Sequence, residues 1–257
     1  MADGVRLEMH RAFQDLPVHA GFALPDFDGL LLRQVVTQAV PRSSANVGHL
    51  FDLMSHDEFP LDADIILGGG GQDSGQSEIQ DDLLKIAPIL KDLAEKNVPM
   101  LMICGLYQLF GDYFETIGGE KIPGIGLFSG LKTIGGNERM IGNIVTQSKD
   151  FGEIVGYENH SGQTFLSNNL TPLATVILGA GNNPGGEFEG IRYKNIIGTY
   201  LHGSLLPKNP QISNFLIDEA LKNQGPSKAE STNKSEQLEI LNRLTNQARE
   251  IAKKRPR

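Results

Sequence analysis

Two short apolar runs stand out in the first half of the chain. "ADIIL", residues 63 to 67, leads into "GGGG" at 68 to 71, and "VPMLMI", residues 98 to 103, leads into Cys104 and Gly105. Continuous apolar runs of this length, ended by glycine, predict buried strands that enter tight loops. Between them Ile79, Leu83, Ile86, Leu90 and Leu93 recur at steps of three and four, and Asp and Glu crowd the N-terminal half. That spacing predicts an amphipathic helix over residues 77 to 97, kinked at Pro88. "GLYQLFGDYF" predicts a further helix starting directly after Cys104. Strands and helices alternating in this way, with the strands apolar throughout, predict an α/β fold: a mostly parallel sheet with helices on both faces.

The pattern changes from about Gly124 to Leu178. "GIGLF", "RMIGNIVTQ", "EIVGYENH", "TFL" and "TVILG" read as short strands punctuated by Gly, Asn and Pro, which predicts hairpins or mixed pairing. "NIIGTYLHG", residues 195 to 203, predicts another strand, closed by His202 and a glycine. "PQISNFLIDEALK", residues 210 to 222, predicts a helix. Three regions follow: an N-terminal segment over 1–48 with no clear alternation, a main domain over 49–222, and a polar linker with a C-terminal helix over 223–257. In that last helix Leu238, Leu241, Leu244, Ala248 and Ile251 share one face, ahead of a basic end, "KKRPR".

Composition narrows the function. A net charge of −8 and a pI near 5.3 argue against non-specific nucleic-acid binding, which needs a basic footprint. With one cysteine in 257 residues, no internal disulfide is possible, and no Cys/His cluster suggests a structural metal. No apolar run approaches the ~20 residues that span a bilayer. The opening "MADGVRLEMHRAF" lacks the apolar core of a signal peptide. The expected compartment is a reducing cytoplasm.

The lone cysteine carries the candidate chemistry. Cys104 is either a small buried hydrophobe or a nucleophile held at a strand-to-helix turn. Gly105 would let the backbone approach a ligand, and a helix N-terminus stabilises a thiolate. A nucleophilic thiol needs a base. Among six histidines, His202 fits best, because it closes a strand and sites of parallel sheets assemble at the carboxyl ends of strands. The alternative for His202 is a structural ring bonded to a backbone carbonyl; His160, in "GYENHSG", reads more simply as a loop histidine. The "GGGG" run is not a P-loop, since no Gly-Lys-Ser/Thr follows, but it can present a backbone N–H. With the N–H of Gly105, it forms a candidate oxyanion hole.

"IILGGGGQDSGQ", "ICGLYQLFGDYF", "GLF" followed by "ERMIGNIV", "VGYENHSGQTFL" and "IIGTYLHGSLLPKNPQISNFLI" occur in that order. Together, over roughly residues 60 to 222, they resemble the class I glutamine amidotransferases of the cobyric acid synthase type. Within that family they are similar to the glutaminase subunits of lipid II isoglutaminyl synthases. The resemblance implies a flavodoxin-like sheet and a set of roles. Cys104 would attack the side-chain amide of L-glutamine, and His202 would protonate the departing ammonia and then activate water. Gly70 and Gly105 would hold the oxyanion. Gln108 would help bind glutamine, and Arg139 would grip its α-carboxylate. It further implies a heterodimer with a Mur ligase-like synthetase that carries the ATP and magnesium, this chain holding no cofactor or metal. The ammonia would amidate the D-glutamate α-carboxyl of lipid II during peptidoglycan synthesis. A corrinoid precursor as acceptor, or a scaffold with an impaired site, are the alternatives.

The sequence departs from that family in three places. Ser204 stands two residues after His202, where many class I amidotransferases have Glu; the partner could supply the orienting group. The N-terminal segment lacks the family's first strand and motif. Leu106 and Gly75 replace a customary glycine and a customary acidic residue.

Overall fold

A computed structural model describes residues 47–49, 59, 61, 63–69, 73–202, 205–223 and 235–255. The first apolar run forms β2 (Ile65–Gly68) and the second β3 (Met100–Ile103). Helix α1 (Asp73–Glu95) joins them, with Pro88 inside it. Its Leu83, Leu90 and Leu93 are fully buried in one cluster with Ile66, Met100 and Met102, as the three-and-four spacing requires. Each such leucine contributes about 2 kcal/mol of apolar burial.

Among the described residues β3 is central in a five-stranded sheet ordered β1-β2-β3-β11-β10, formed with β1 (Val47–His49), β10 (Ile191–Tyr193) and β11 (Ile196–Thr199). β1, β2, β3 and β11 are parallel, and β10 closes the edge antiparallel. The sequence reading found no strand before residue 49. The structure has a strand there, β1, three residues long and too short to show a period, and it pairs parallel along β2. The rest of the N-terminal segment lies outside the described residues.

The middle of the chain builds a second sheet, larger than the hydropathy pattern suggests. Its order is β5-β4-β6-β8-β9, with β7 also on β6. β4 is Tyr113–Glu115, β5 Lys121–Pro123, β8 Ala174–Leu178 and β9 Phe188–Glu189. "RMIGNIVTQ" lies inside one long strand, β6 (Leu131–Ser148), while "EIVGYENH" and "TFL" belong to one strand, β7 (Gly152–Leu166). β6 and β7 form a long antiparallel ribbon whose register breaks between Gly135 and Met140. "GIGLF" is not a strand. The helix expected over "GLYQLFGDYF" stops early: α2 is only Gly105–Leu109, and Tyr113 already pairs in β4. The alternation of Phe114 inward with Tyr113 and Glu115 half-buried shows why strand pairing wins there.

Helix α3 (Leu205–Lys208) and α4 (Pro210–Asn223) follow β11, and α4 matches its expected span. The C-terminal helix α5 (Ser235–Lys254) is present, but it packs on a different face from the one its sequence suggests. Leu241, Leu244 and Ile251 are 60%, 51% and 55% exposed. The docked face is instead Thr245, Arg249, Ala252 and Lys253. Arg249 donates to the Lys208 carbonyl and Asn209 Oδ1 at 2.8 Å, and to the Glu153 carbonyl and carboxylate at 2.9 and 2.8 Å. A planar guanidinium satisfies four acceptors at once, and that fixes the helix orientation. Among the described residues no helix is long and apolar enough to cross a membrane.

Candidate active site

Cys104 is the residue between β3 and α2, and its backbone is unusual. With φ 54° and ψ −111° it lies in a region that L-residues rarely adopt. Such a conformation costs on the order of 1–3 kcal/mol and persists where the surroundings hold it. Here the hold is visible. The Cys104 N–H donates to the Thr199 carbonyl at 2.9 Å, extending the β3–β11 ladder by one bond, and the Cys104 carbonyl receives the Gln108 N–H at 3.0 Å, opening α2. The sharp turn places Cys104, buried in one cluster with Met102 and Leu106, at the carboxyl end of β3.

The same strand that anchors Cys104 delivers His202, three residues beyond Thr199. The His202 N–H donates to the Tyr157 carbonyl at 2.7 Å in an antiparallel bridge to β7. Cys104 and His202 therefore sit at the carboxyl ends of neighbouring parallel strands, where the first sheet meets the β6–β7 ribbon. Gly105 opens α2, buried. Gly70 and Ser204 lie outside the described residues. The glycine run nevertheless begins against α2. A Cβ on Gly68 would lie 2.3 Å from Leu106 Cδ1 and 2.8 Å from Met102 Sδ. Leu106, one of the departures from the family pattern, fills the space over Gly68.

Gln108 is buried, and its Nε2 donates to the Tyr200 hydroxyl at 2.9 Å. Tyr200 Oη lies 2.6 Å from Thr164 Oγ1, which lies 2.7 Å from Thr133 Oγ1. Gln108 donates to Tyr200, and in the Tyr200–Thr164 and Thr164–Thr133 pairs either hydroxyl can be the donor. Burial, chiefly, raises the Tyr200 phenol above its usual range, with the nearby Cys104 adding to it. Tyr200 thus stays a neutral hydroxyl. Arg139 is exposed on β6 and donates from Nε to Asn159 Oδ1 at 2.8 Å; among the described residues no carboxylate pairs with it. Its guanidinium remains able to take a carboxylate.

Sequence reasoning underrated His160. It lies on β7, not in a loop, and is buried with its ring stacked on Tyr200 at 3.6 Å and 3°. Its Nδ1 meets the Gly162 carbonyl at 2.8 Å. Burial is the main cause that lowers it to about 4, and His202 and Arg139 act in the same direction. A second buried ionisable group, Glu189 on β9, is pushed up to about 7 by burial, although the Tyr200 N–H and the Thr199 hydroxyl oppose the shift. No local spacing marks either residue, because the Tyr200 ring that stacks on His160 and the Thr199 hydroxyl that donates to Glu189 come from the end of β11.

Two tests follow from this geometry. A Cβ at Gly162 would lie 2.4 Å from Gln108 Nε2, 3.0 Å from Thr133 Cγ2 and 3.2 Å from Tyr200 Oη. The closest of these is the tip of a flexible side chain, so Gly162→Ala should fold and displace Gln108. The expected result is a KM for glutamine raised roughly tenfold, worth about 1.4 kcal/mol, with kcat changed less. Steady-state glutamate release measures it, and an unchanged KM contradicts the role given to Gln108. The second concerns pH. Glu189 holds its proton more tightly folded than unfolded, so its stabilisation is full below about pH 4.5 and is lost as pH rises through 7. His160 works in the opposite sense: its stabilisation is full above pH 6.5 and is lost as pH falls towards 4. Glu189→Gln removes the first effect alone. Its unfolding free energy from urea titration should gain on the wild type between pH 5 and pH 8, by an amount on the order of 3 kcal/mol. A gap that stays constant with pH rejects this.

The model of CobB/CobQ-like glutamine amidotransferase domains matches residues 22–210, reaching back into the segment where no family motif was found. Subunit GatD of the glutamine-hydrolysing lipid II isoglutaminyl synthase of Staphylococcus aureus strain N315 is 41% identical over 164 residues, 64% of this chain and 66% of that protein. The Streptococcus pneumoniae R6 subunit of the same name is 40% identical over 66% of this chain and 67% of its own. The chain thus aligns with about two thirds of the length of these relatives. A probable cobyric acid synthase of Methanosphaera stadtmanae is 32% identical over 42% of this chain, but only 24% of its own length. Among solved structures, a glutamine amidotransferase aligns over 62% of this chain and 79% of its own, with a TM-score of 0.47 at 13% identity.

Proposed function

This chain belongs to the family of CobB/CobQ-like glutamine amidotransferase domains, and from that premise we propose that it is a glutaminase subunit that frees ammonia from L-glutamine. The observation that carries this is the backbone of Cys104, held at φ 54° by the strand that leads to His202. In this reading His202 takes the proton of the Cys104 thiol as Sγ attacks the amide carbon. The N–H of Gly105, with one from Gly70, takes the charge that develops on oxygen. The C–N bond breaks as His202 gives its proton to nitrogen, and ammonia leaves a thioester on Cys104. His202 then accepts a proton from water, which attacks the thioester; the C–S bond breaks, glutamate leaves, and His202 returns the proton to the Cys104 sulfur. Arg139 holds the α-carboxylate of the substrate, and Gln108, steadied by Tyr200, shapes the wall beside it.

The partner is an ATP- and magnesium-using, Mur ligase-like synthetase, and the acceptor of the ammonia is the D-glutamate α-carboxyl of lipid II, giving D-isoglutamine at the cytoplasmic face. The similarity to the two isoglutaminyl synthase subunits supports this over a corrinoid acceptor: identity is higher and the shared length is a larger part of each relative. The deciding experiment measures glutamate released from glutamine by the wild type and by Cys104→Ala, each with and without a co-expressed synthetase. Release by the wild type alone among the two proteins supports the reading. No release from the wild type in either sample overturns it.

A further inference from the structure

Resting on the glutaminase reading, we infer that Glu189 is a positioning residue for the reaction: its buried carboxyl fixes the turn from Thr199 to His202, from which both the backbone anchor of Cys104 and the imidazole base are hung. The ladder of β11 ends at Thr199. The next amides enter the protein interior without strand partners and need acceptors. One oxygen of Glu189 supplies them. Oε1 accepts the Tyr200 N–H at 2.8 Å and the Thr199 hydroxyl at 2.8 Å. That hydroxyl accepts the Leu201 N–H at 3.1 Å, while the Thr199 carbonyl accepts the Cys104 N–H at 2.9 Å. Tyr157 then takes the His202 N–H. The run from nucleophile anchor to base is thus determined bond by bond, and Glu189 is its root.

Packing alone does not call for an acid at this place. Glu189 is fully buried, and its other oxygen, Oε2, has no hydrogen-bond partner. An apolar residue would avoid that cost but could accept neither donor. The ionisable groups facing it are Glu158 on β7, Tyr107 on α2 and Tyr200 after β11. Glu158 is itself held by the N–H groups of Ala180 and Gly181. Gly190, next to Glu189, is pinned by Asn182, whose side chain also takes the Tyr107 hydroxyl. The carboxyl therefore has a fixed seat from which to act.

The test compares Glu189→Gln, Glu189→Leu and Thr199→Val in the full chain. Gln keeps a carbonyl acceptor in the same place, Leu keeps bulk without one, and Val removes only the hydroxyl relay. Glu189→Leu is expected to lose about 100-fold in kcat, the scale of an ~1 Å misplacement, with KM within about threefold. Glu189→Gln should stay within about threefold of the wild type in both, and Thr199→Val should fall between. Alkylation of Cys104 by iodoacetamide between pH 6 and 9 is the second readout: its rate should fall in the same order, after correction for the folded fraction from urea titration. Wild-type kcat and alkylation in Glu189→Leu, or a Gln variant as impaired as Leu, overturns the proposal. So does a loss that only tracks the folded fraction. If Glu189→Leu does not fold, Gln against Thr199→Val decides on the same terms. If the wild type releases no glutamate yet its alkylation follows this order, the glutaminase reading fails and the positioning role stands.

Discussion

Cys104→Ala is expected to lower glutamate release by at least about 10⁴-fold while leaving the fold intact. The loss is that large because the nucleophile is not one contributor among several. Without it no thioester forms, and what remains is the modest help of the oxyanion donors and binding groups. The fold survives because only one sulfur atom is removed, and the two backbone bonds that hold the turn, to Thr199 and from Gln108, do not involve the side chain. A companion variant separates chemistry from strain. Alanine at φ 54° keeps the strain of the turn, whereas glycine adopts that region freely. Cys104→Gly should therefore be equally inactive, yet more stable than Cys104→Ala by about 1 kcal/mol in urea unfolding. Equal stability of the two would mean that the turn is not strained.

Substituting His202 with asparagine is expected to reduce kcat by roughly 10³-fold with little change in KM. One imidazole serves two proton transfers, to ammonia and from water, and each is worth ~10²–10⁴. Because the base acts on the reacting atoms and not on the bound ground state, the loss falls on kcat. The main-chain bond of His202 to Tyr157 is unaffected, so the strand end stays in place. A loss seen only in KM would assign His202 to binding instead.

Much of the parallel core could be read from the sequence because its signals are local. β2, β3 and the leucines of α1 declare themselves within a few residues, and so do Cys104 and His202 at strand ends. The ribbon of β6 and β7 was harder. Its glycines look like strand breakers, yet Gly162 lies within β7 because Gln108, Thr133 and Tyr200 crowd the place of its Cβ. The glycine there marks a close approach, not an end. The buried set of Gln108, Tyr200, Thr164, Thr133 and His160 gives no periodic signal, since its bonds span 31 to 92 residues of chain. α5 misled for another reason. Hydropathy pointed to Leu241, Leu244 and Ile251, whereas Arg249, reaching Glu153 across 96 residues, decides which side faces the protein.

The coupling of Gln108 to Tyr200 also gives the molecule an optical probe. The chain has no tryptophan and only five tyrosines, so its near-ultraviolet emission is tyrosine emission. Two of those rings, Tyr107 and Tyr200, are fully buried and packed edge to face at 5.1 Å beside the candidate site. Tyr200 in addition carries a stacked histidine and a hydrogen bond from the amide that would meet glutamine. Occupation of the site, before any bond is broken, can thus be followed as a change in the chain's own light.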